Sequence, residues 1–388
     1  MVNTNYRFIQ PGQTIGILGG GQLGKMMAVS AKQMGFRVII LDPAEDCPAA
    51  QVSDDVIVAA YDDLNAAKEL VARADVVTYE FENVDLDIAA FIEREGYLPQ
   101  TSRLLAITQD RLNEKATLKE AGLRVAPYRK VVTKEDLNEA VSHLGVPSVL
   151  KTVRGGYDGK GQLVIRTEAD LPLAYELLGD NRVFVLEQWV PFIKELSVMV
   201  VRHTSGVIKT YPVSENKHVN NILHQSLVPA DISHNIQKEA DQAARQIAEE
   251  LDLIGALGVE LFLTEEGKIY VNELAPRPHN SGHYTIEACE FSQFEQHIRA
   301  ICGLPLGTTD LLKNVVMVNI LGQHIPALLE SLPQLEKAHL HLYGKTEAKH
   351  NRKMGHLTLL TEDITQSLQM LESLGIWRET QTNGGILK

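Results

Sequence analysis

The stretch Leu150–Ile165, LKTVRGGYDGKGQLVI, decides how the chain is read. A short apolar run ends at Lys151. A loop with Gly155, Gly156, Gly159 and Gly161 follows, carrying a second lysine, Lys160, and then a second apolar run begins. Glycine has no Cβ, so a loop of this kind can lay its backbone N–H groups along a polyphosphate while the lysines supply charge. It is not a Walker A loop, which reads GxxxxGK[ST] and opens a helix. Here Gly161 stands where Ser or Thr should follow Lys160, and QLVI reads as a strand. A glycine-rich turn between two strands is another way of covering ATP phosphates. An ordinary glycine-rich hairpin has the same local pattern, so the loop alone leaves both readings open.

The chain has 388 residues, enough for two or three domains at roughly 100–200 residues each. Thirty-seven basic against 50 acidic residues give a formal charge of −13, which argues against a general nucleic-acid or membrane-surface binder. A small anionic ligand held by a local basic cluster remains open. Cys47, Cys289 and Cys302 are too few and too far apart for a disulfide framework or a zinc knuckle, and they fit a reducing cytoplasm. The start, MVNTNYRFIQPG, has no apolar signal region, and no apolar run approaches the ~18 residues of a membrane span.

Residues 14–42 read as the opening of a parallel α/β sheet: strand TIGIL, turn GGGQLG, a helix with Leu23, Met26, Met27 and Met34 on one face and Gly35 closing it, then strand FRVIIL. VVTYE (76–80) and a helix over 86–95 continue the alternation. A helix over 110–121 leads into a compact mixed segment, 131–187, that holds the glycine-rich loop. RVFVLEQWV (182–190) and ELSVMVVRH (195–203) read as strands paired around a turn at Pro191. A helix over 235–252 precedes a hairpin, GALGVELFLTEEGKIYVNELAPR. The tail from 311 is a smaller α/β piece.

Gly19-x-Gly21-x-x-Gly24 matches the dinucleotide fingerprint, with Asp42 near the place of a ribose-binding acid. By that rule the chain is an NAD enzyme. Nothing downstream resembles a hydride-transfer site, however, and any polar or anionic ligand can sit at such a helix N-terminus. The loop is therefore read as substrate-facing. In the hairpin, a two-residue turn within TEEG (264–267) sets Glu260 across from residue 271, with Glu273 diagonal to it on the same face. Two like charges there call for a cation, and hard oxygen ligands beside a nucleotide suggest Mg²⁺; the bland alternative is two solvated strand carboxylates. Asn272–His283, NELAPRPHNSGH, is dense in polar groups. His279 and His283 have the spacing of a zinc pair, but Pro278 and Gly282 break a helix and no third ligand is evident. EQWVPFIKE (187–195) offers backbone for an adenine edge or is a plain turn. Lys345, Lys349, Arg352 and Lys353 are the concentrated positive charge of the chain, a phosphate site or a solvated basic face.

Taken in order, GGGQLG, YEFENV (79–84), Lys151 with GYDGKGQ, EQWV with Glu195, Glu260, NELAPRPHNSGHYTIE and YGK…RKMGH resemble the ATP-grasp superfamily. Within it they are similar to the N5-carboxyaminoimidazole ribonucleotide synthetases of purine biosynthesis, from about residue 14 to about 357. The resemblance implies an ATP-grasp fold of α/β and α+β parts. Its expected pieces are a Rossmann-like pre-ATP-grasp parallel-sheet domain (1–108), an ATP-grasp domain (109–310, lid lobe about 131–187) and a small C-terminal domain (311–388).

The resemblance also implies ligation of ATP, bicarbonate and 5-aminoimidazole ribonucleotide through carboxyphosphate, with ATP and Mg²⁺ as cofactors, no nucleic acid or membrane partner, and a homodimer. Arg111, Lys151, Gly156, Tyr157, Asp158, Gly159, Lys160, Gly161 and Gln162 would hold the phosphates. Glu187, Gln188, Trp189 and Val190 would meet the adenine, with Glu195 at the ribose and His218 and Asn272 nearby. Glu260 and Glu273 would ligate Mg²⁺. Gln22, Glu80, Asn83, Tyr157 and Asp158 would face the ribonucleotide, with Lys345, Arg352 and Lys353 on its phosphate. Arg277, His279, Asn280 and Lys160 would surround the carboxyphosphate. A formate-dependent transformylase or a biotin carboxylase-like ligase would share all but the acceptor, and a nicotinamide-dependent dehydrogenase is the distant alternative.

Overall fold

A computed structural model describes residues 7–156, 161–179 and 182–377. The N-terminal strands Thr14–Leu18, Arg37–Asp42, Asp55–Val58 and Val76–Tyr79 form one parallel sheet. Their near-continuous apolar runs suit a sheet covered on both faces. In space the order is Asp55–Val58, Arg37–Asp42, Thr14–Leu18, Val76–Tyr79, so the chain moves first to one side of Thr14–Leu18 and later to the other. The carboxyl ends of Thr14–Leu18 and of the edge strand Val76–Tyr79 therefore flank a topological switch point, where open α/β sheets bind ligands. Gly19–Gly21 follow one of those ends and Glu80 follows the other. Asp55–Val58 and the helix Leu64–Arg73 extend the alternation beyond what the periodicity indicated.

Two further sheets follow. The smaller is antiparallel, in the order Tyr128–Val131, Phe184–Gln188, Ser148–Thr152, Gln162–Ile165. Helices Lys134–Leu144 and Leu171–Leu177 close over it around Val131, Leu137, Leu150, Ile165 and Phe184, giving this lobe its own core. The larger sheet has nine strands. Along it lie Ile269–Ala275, Gly255–Thr264, Phe192–Arg202, Ser214–Val219, Ile222–Val228, Asn314–Leu321, Lys353–Thr361 and Ala338–Leu342, with Ile208–Thr210 beside Phe192–Arg202. Phe184–Gln188 and Phe192–Arg202 do not pair with each other, contrary to the sequence reading. They belong to different sheets, and Trp189–Pro191 carries the chain from one to the other. A proline cannot donate to a ladder, which suits a crossing point.

The C-terminal strands add to the large sheet rather than forming one of their own, although Val316, Ile320, Leu328, Leu357 and Leu371 make a separate apolar cluster. Helix Gln293–Ile301 lies between the large sheet and the N-terminal unit. Its Phe294, Ile298 and Ile301 share one core with Ile15, Ile17 and Met27. Among the described residues no helix is long and apolar enough to cross a membrane.

Gly24 sits in the helix Gln22–Gln33, where a Cβ would lie 2.5 Å from the Gly19 carbonyl oxygen. Helix propensity favours Ala over Gly by up to about 1 kcal/mol, but a backbone clash of this kind costs about 1–3 kcal/mol or more. Gly24→Ala should therefore lower the urea midpoint at unchanged m-value. A raised midpoint would mean that the helix does not pack against Gly19 as described.

Candidate functional site

The three sheets meet at a cleft of about 530 Å³. Gln22, Glu80 and Asn83 enter it from the N-terminal sheet, and Lys151, Gln162, Glu187, Gln188, Trp189 and Val190 from the small lobe. Arg111, Glu195, His218, Glu260, Asn272, Glu273, Arg277, His279, Asn280 and Lys353 complete it. Gly156 lies at its margin, where its carbonyl accepts from Arg111 Nη2 at 3.4 Å. Gly161 has φ +75° and its carbonyl accepts from the Thr152 N–H. Tyr157, Asp158, Gly159 and Lys160 lie outside the described residues.

The glycine fingerprint is filled by the protein itself. Helix Gln22–Gln33 has no side-chain cap from its own Ncap, Gly21. Glu80 supplies one: its Oε1 accepts from the Gly21 N–H at 2.5 Å and its Oε2 from the Gly24 N–H at 2.7 Å. A carboxylate at a helix N-terminus is favourable, and here it takes the place a pyrophosphate would need. Asp42 is engaged too, accepting from the Gly20 and Ala44 N–H groups and the Tyr61 hydroxyl. With both acids committed, no ribose or pyrophosphate site of the dinucleotide kind exists here. Gln22 and Glu80 instead face the common cleft.

The carboxylate hairpin departs from its expected register. The loop is Glu265–Gly267, three residues, with Gly267 at φ +75° and the Thr264 N–H bonded to the Lys268 carbonyl. A bulge then falls between Glu260 and Leu261, so Glu273 is the direct cross-strand partner of Glu260 and not a diagonal neighbour. Bulges re-aim side chains next to functional sites. The large sheet has three more of them beside cleft residues, at Lys217/His218, at Leu263/Thr264 opposite Phe192 and at Ile320/Leu321 opposite Lys353.

Burial and the facing Glu273 push the Glu260 carboxyl up to about 7. Arg111 Nη1 pairs with Glu273 at 2.9 Å, and His279 Nε2 lies 3.3 Å from Glu260. Beside them the Asn272 Oδ1 and the Asn280 side-chain amide are buried without a hydrogen-bond partner. Two facing carboxylates and unsatisfied amide oxygens form a hard oxygen donor set that fits Mg²⁺, which takes few protein ligands and completes its shell with water and phosphate. The zinc pair does not form. His283 is fully buried, its Nδ1 lies 3.2 Å from Gln293 Nε2 and its ring packs on Phe294 and His356, while His279 turns to Glu260.

On the small lobe Lys151 does not stand free. Its Nζ donates to Glu187 Oε2 at 2.9 Å, and Lys115 Nζ lies 3.2 Å from Glu187 Oε1. Burial would raise the Glu187 carboxyl, but Lys151 and Lys115 hold it down at about 2. Phe192 and Phe262 stack at 4.5 Å under Trp189, and with Val149 and Val164 they give this end of the cleft apolar walls suited to a flat ring. Glu195 Oε2 lies 3.2 Å from His218 Nδ1. Burial lowers the His218 pKa, and Glu195 more than reverses that.

Two residues that sequence reasoning passed over complete the charge pairing. Glu82 takes Arg277 Nε at 2.6 Å, and burial, which would raise its carboxyl, is outweighed by Arg277. Lys115, 1% exposed, is the other. Glu82 sits inside YEFENV, a motif already singled out. Lys115 sits in an unremarked helical KATLKE with no local signal.

The basic tail divides. Lys349 is 71% exposed and pairs with Glu347, a solvated contact. Lys345 is partly buried, donates to the Lys353 carbonyl at 2.8 Å, and is pushed down to about 8 by burial and by Arg352. Arg352 is exposed and donates to the Glu347 carbonyl. Lys353 reaches the cleft. The loop bearing Lys345 is held against the N-terminal unit by Lys25 Nζ on the Tyr343 carbonyl and Gln51 Nε2 on the Gly344 carbonyl.

Family profiles match the chain as a ribonucleotide synthetase preATP-grasp domain (12–109), an ATP-grasp domain (116–294) and a phosphoribosylaminoimidazole carboxylase C-terminal domain (315–370). The chain is similar to the N5-carboxyaminoimidazole ribonucleotide synthase of Bacillus subtilis (strain 168), 54% identical over 363 residues, covering 94% of this chain and 95% of that one. It superposes on the N5-carboxyaminoimidazole synthetase of Staphylococcus aureus complexed with ADP, with TM-score 0.92, 43% identity and coverage of 95% and 99%. It also superposes on the Aspergillus clavatus synthase in complex with ADP and 5-aminoimidazole ribonucleotide, with TM-score 0.88, 33% identity and coverage of 94% and 98%.

A carboxyl whose folded pKa lies above its unfolded value stabilises fully below the unfolded pKa and loses that contribution as pH rises through the folded one. For Glu260 the window runs from about 4.5 to about 7. Without divalent cation, melting temperature should fall across that window, and Glu260→Gln should flatten part of the slope. Mg²⁺ should restore stability at the upper end in the parent and much less in the variant. Parallel slopes for the two proteins would show that the facing carboxylates do not interact.

Proposed function

The chain belongs to the N5-carboxyaminoimidazole ribonucleotide synthase family, and from that premise we propose that it couples ATP cleavage to the carboxylation of 5-aminoimidazole ribonucleotide on N5. The observation that carries the reading is a single cleft. It joins a phosphate-handling end, with Arg111, Lys151, Glu260 and Glu273, to the switch point of the N-terminal sheet, with Gln22, Glu80 and Asn83.

In this reading the adenine lies along Glu187–Val190 against the apolar walls, and Glu195 takes the ribose. Arg111 and Lys151 leave their carboxylate partners for the phosphates. Glu260 and Glu273 would hold Mg²⁺, which when bound would neutralise charge on the transferring phosphoryl group. A bicarbonate oxygen attacks the γ-phosphorus, the bond to the ADP oxygen breaks, and carboxyphosphate results. Arg277, His279 and Asn280 hold that anion. Burial, and then Arg277, keep the His279 pKa well below its ordinary value, so it enters as a neutral imidazole. The substrate amine then forms the N–C bond as phosphate departs. Carboxyphosphate is labile to water, and the small lobe over the cleft excludes it.

Lys345, Arg352 and Lys353 take the ribonucleotide phosphate. The partial burial of Lys345 and Lys353 supports this over a solvated face. We further infer a cytoplasmic homodimer: the three buried, unpaired thiols fit a reducing compartment, and the dimer rests on the family resemblance alone.

ADP release with Mg²⁺ and bicarbonate should rise when 5-aminoimidazole ribonucleotide is added, and Glu273→Gln should nearly abolish it. Another acceptor raising turnover while this one does not would overturn the assignment. Arg352→Ala should raise the KM for the ribonucleotide by about tenfold or more, since a charge-assisted hydrogen bond contributes on the order of 1.5–3 kcal/mol. The KM for ATP should hardly move. Unchanged values for both Arg352→Ala and Lys345→Ala would make the cluster surface charge only.

A further inference from the structure

Lys115 is a costly charge to bury and has no evident reason in the fold alone. Its side chain is 1% exposed, and its Nζ has no hydrogen-bond acceptor in good geometry. Its one charge partner within ion-pair distance among the described residues is Glu187, at 3.2 Å. Glu187 itself already has Lys151 at 2.9 Å on its other oxygen. A buried ion pair rarely stabilises a fold over an apolar replacement, so a second ammonium on one carboxylate needs a reason beyond folding. The two lysines differ in one respect: Lys151 and Glu187 line the cleft, and Lys115 lies behind them on the helix Arg111–Glu120.

We propose that Lys115 is a positioning residue that keeps Glu187 neutralised while Lys151 leaves it for a nucleotide phosphate. With one lysine alone, Glu187 and Lys151 would form a closed pair. Moving Lys151 to a phosphate would strand a carboxylate that is 5% exposed, and removing one partner of a buried pair is among the larger penalties known. With two lysines the triad carries one net positive charge, so Lys151 can turn outward and leave a complete Glu187–Lys115 pair behind. The back lysine thus sets how tightly phosphates are held without touching them. This inference rests on the proposal that the cleft binds ATP.

The test is calorimetry on the full chain with MgADP and, separately, adenosine, which has the ring but no phosphate. Lys115→Met should weaken MgADP by tenfold or more and leave adenosine within about twofold. Lys115→Met combined with Glu187→Gln removes the carboxylate charge that retains Lys151, and should return the ratio of MgADP to adenosine affinity to within about threefold of the parent, whatever Glu187 contributes at the adenine. A structural role predicts the opposite, because a second change in the same buried spot would add damage. The proposal falls if Lys115→Met leaves MgADP binding unchanged or weakens ADP and adenosine alike. If Lys115→Met does not fold, the double variant decides, a parent-like ratio of MgADP to adenosine affinity supporting the proposal and a lower ratio overturning it. A parent that binds no MgADP would remove the nucleotide reading itself, and Lys115's role with it.

Discussion

The geometry of the cleft depends on one buried chain of hydrogen bonds at the junction of the N-terminal unit and the large sheet. The Ala256 N–H donates to His297 Nδ1 at 3.1 Å, which leaves the ring proton on Nε2, 2.8 Å from Thr78 Oγ1. The Thr78 hydroxyl donates to Gln100 Oε1 at 2.5 Å, and the Gln100 amide donates to the Pro276 carbonyl at 2.9 Å. Every donor points the same way because a backbone N–H at one end and a carbonyl at the other admit one direction. Burial drives the His297 pKa down to about 3, so the chain keeps its neutral tautomer over the working range of pH. Two residues past Thr78 comes Glu80, and one past Pro276 comes Arg277. The junction therefore sets the distance between the glycine-loop acid Glu80 and Arg277 across the cleft.

Around that pin the charges of the cleft are paired off. Arg111 is on Glu273, Arg277 on Glu82, Lys151 on Glu187 and His279 beside Glu260, while a helix N-terminus is closed by Glu80. Such a site is preorganised in composition though its ligand contacts are still to be made. A ligand that took over one of these partners would exchange one ionic contact for another, so no charge would have to be taken bare out of water. The cost of desolvating those groups was met when the protein folded, which is one way a site gains from preorganisation.

Much of this was legible in the sequence because the signals were local. The parallel unit follows from an apolar strand, a glycine turn and an amphipathic helix in succession. The carboxylate hairpin follows from alternation on both arms. The register within that hairpin was not legible, since a two-residue and a three-residue loop read almost alike and the bulge at Glu260 has no compositional mark. Nor was the parting of Phe184–Gln188 from Phe192–Arg202, because pairing is decided by strands far away in the chain. Lys115 and Glu82 were missed for a related reason: a charged residue on a helix or loop looks solvated until tertiary structure closes over it.

The bulged large sheet has a consequence for scale. Glu260 and Lys353 lie on strands five places apart, and flat strands about 4.8 Å apart would separate them by about 24 Å. Yet Lys353 acts electrostatically on the Glu260 carboxyl, and both line the same cleft. The sheet therefore curves enough to bring both side chains to one cleft, and its pairing is broken at several points along the way. One hydrogen-bonded lattice then acts as a calliper, setting by its curvature the gap between the facing carboxylates and Lys353. A change in that curvature would alter the gap with every side chain that lines it left unchanged.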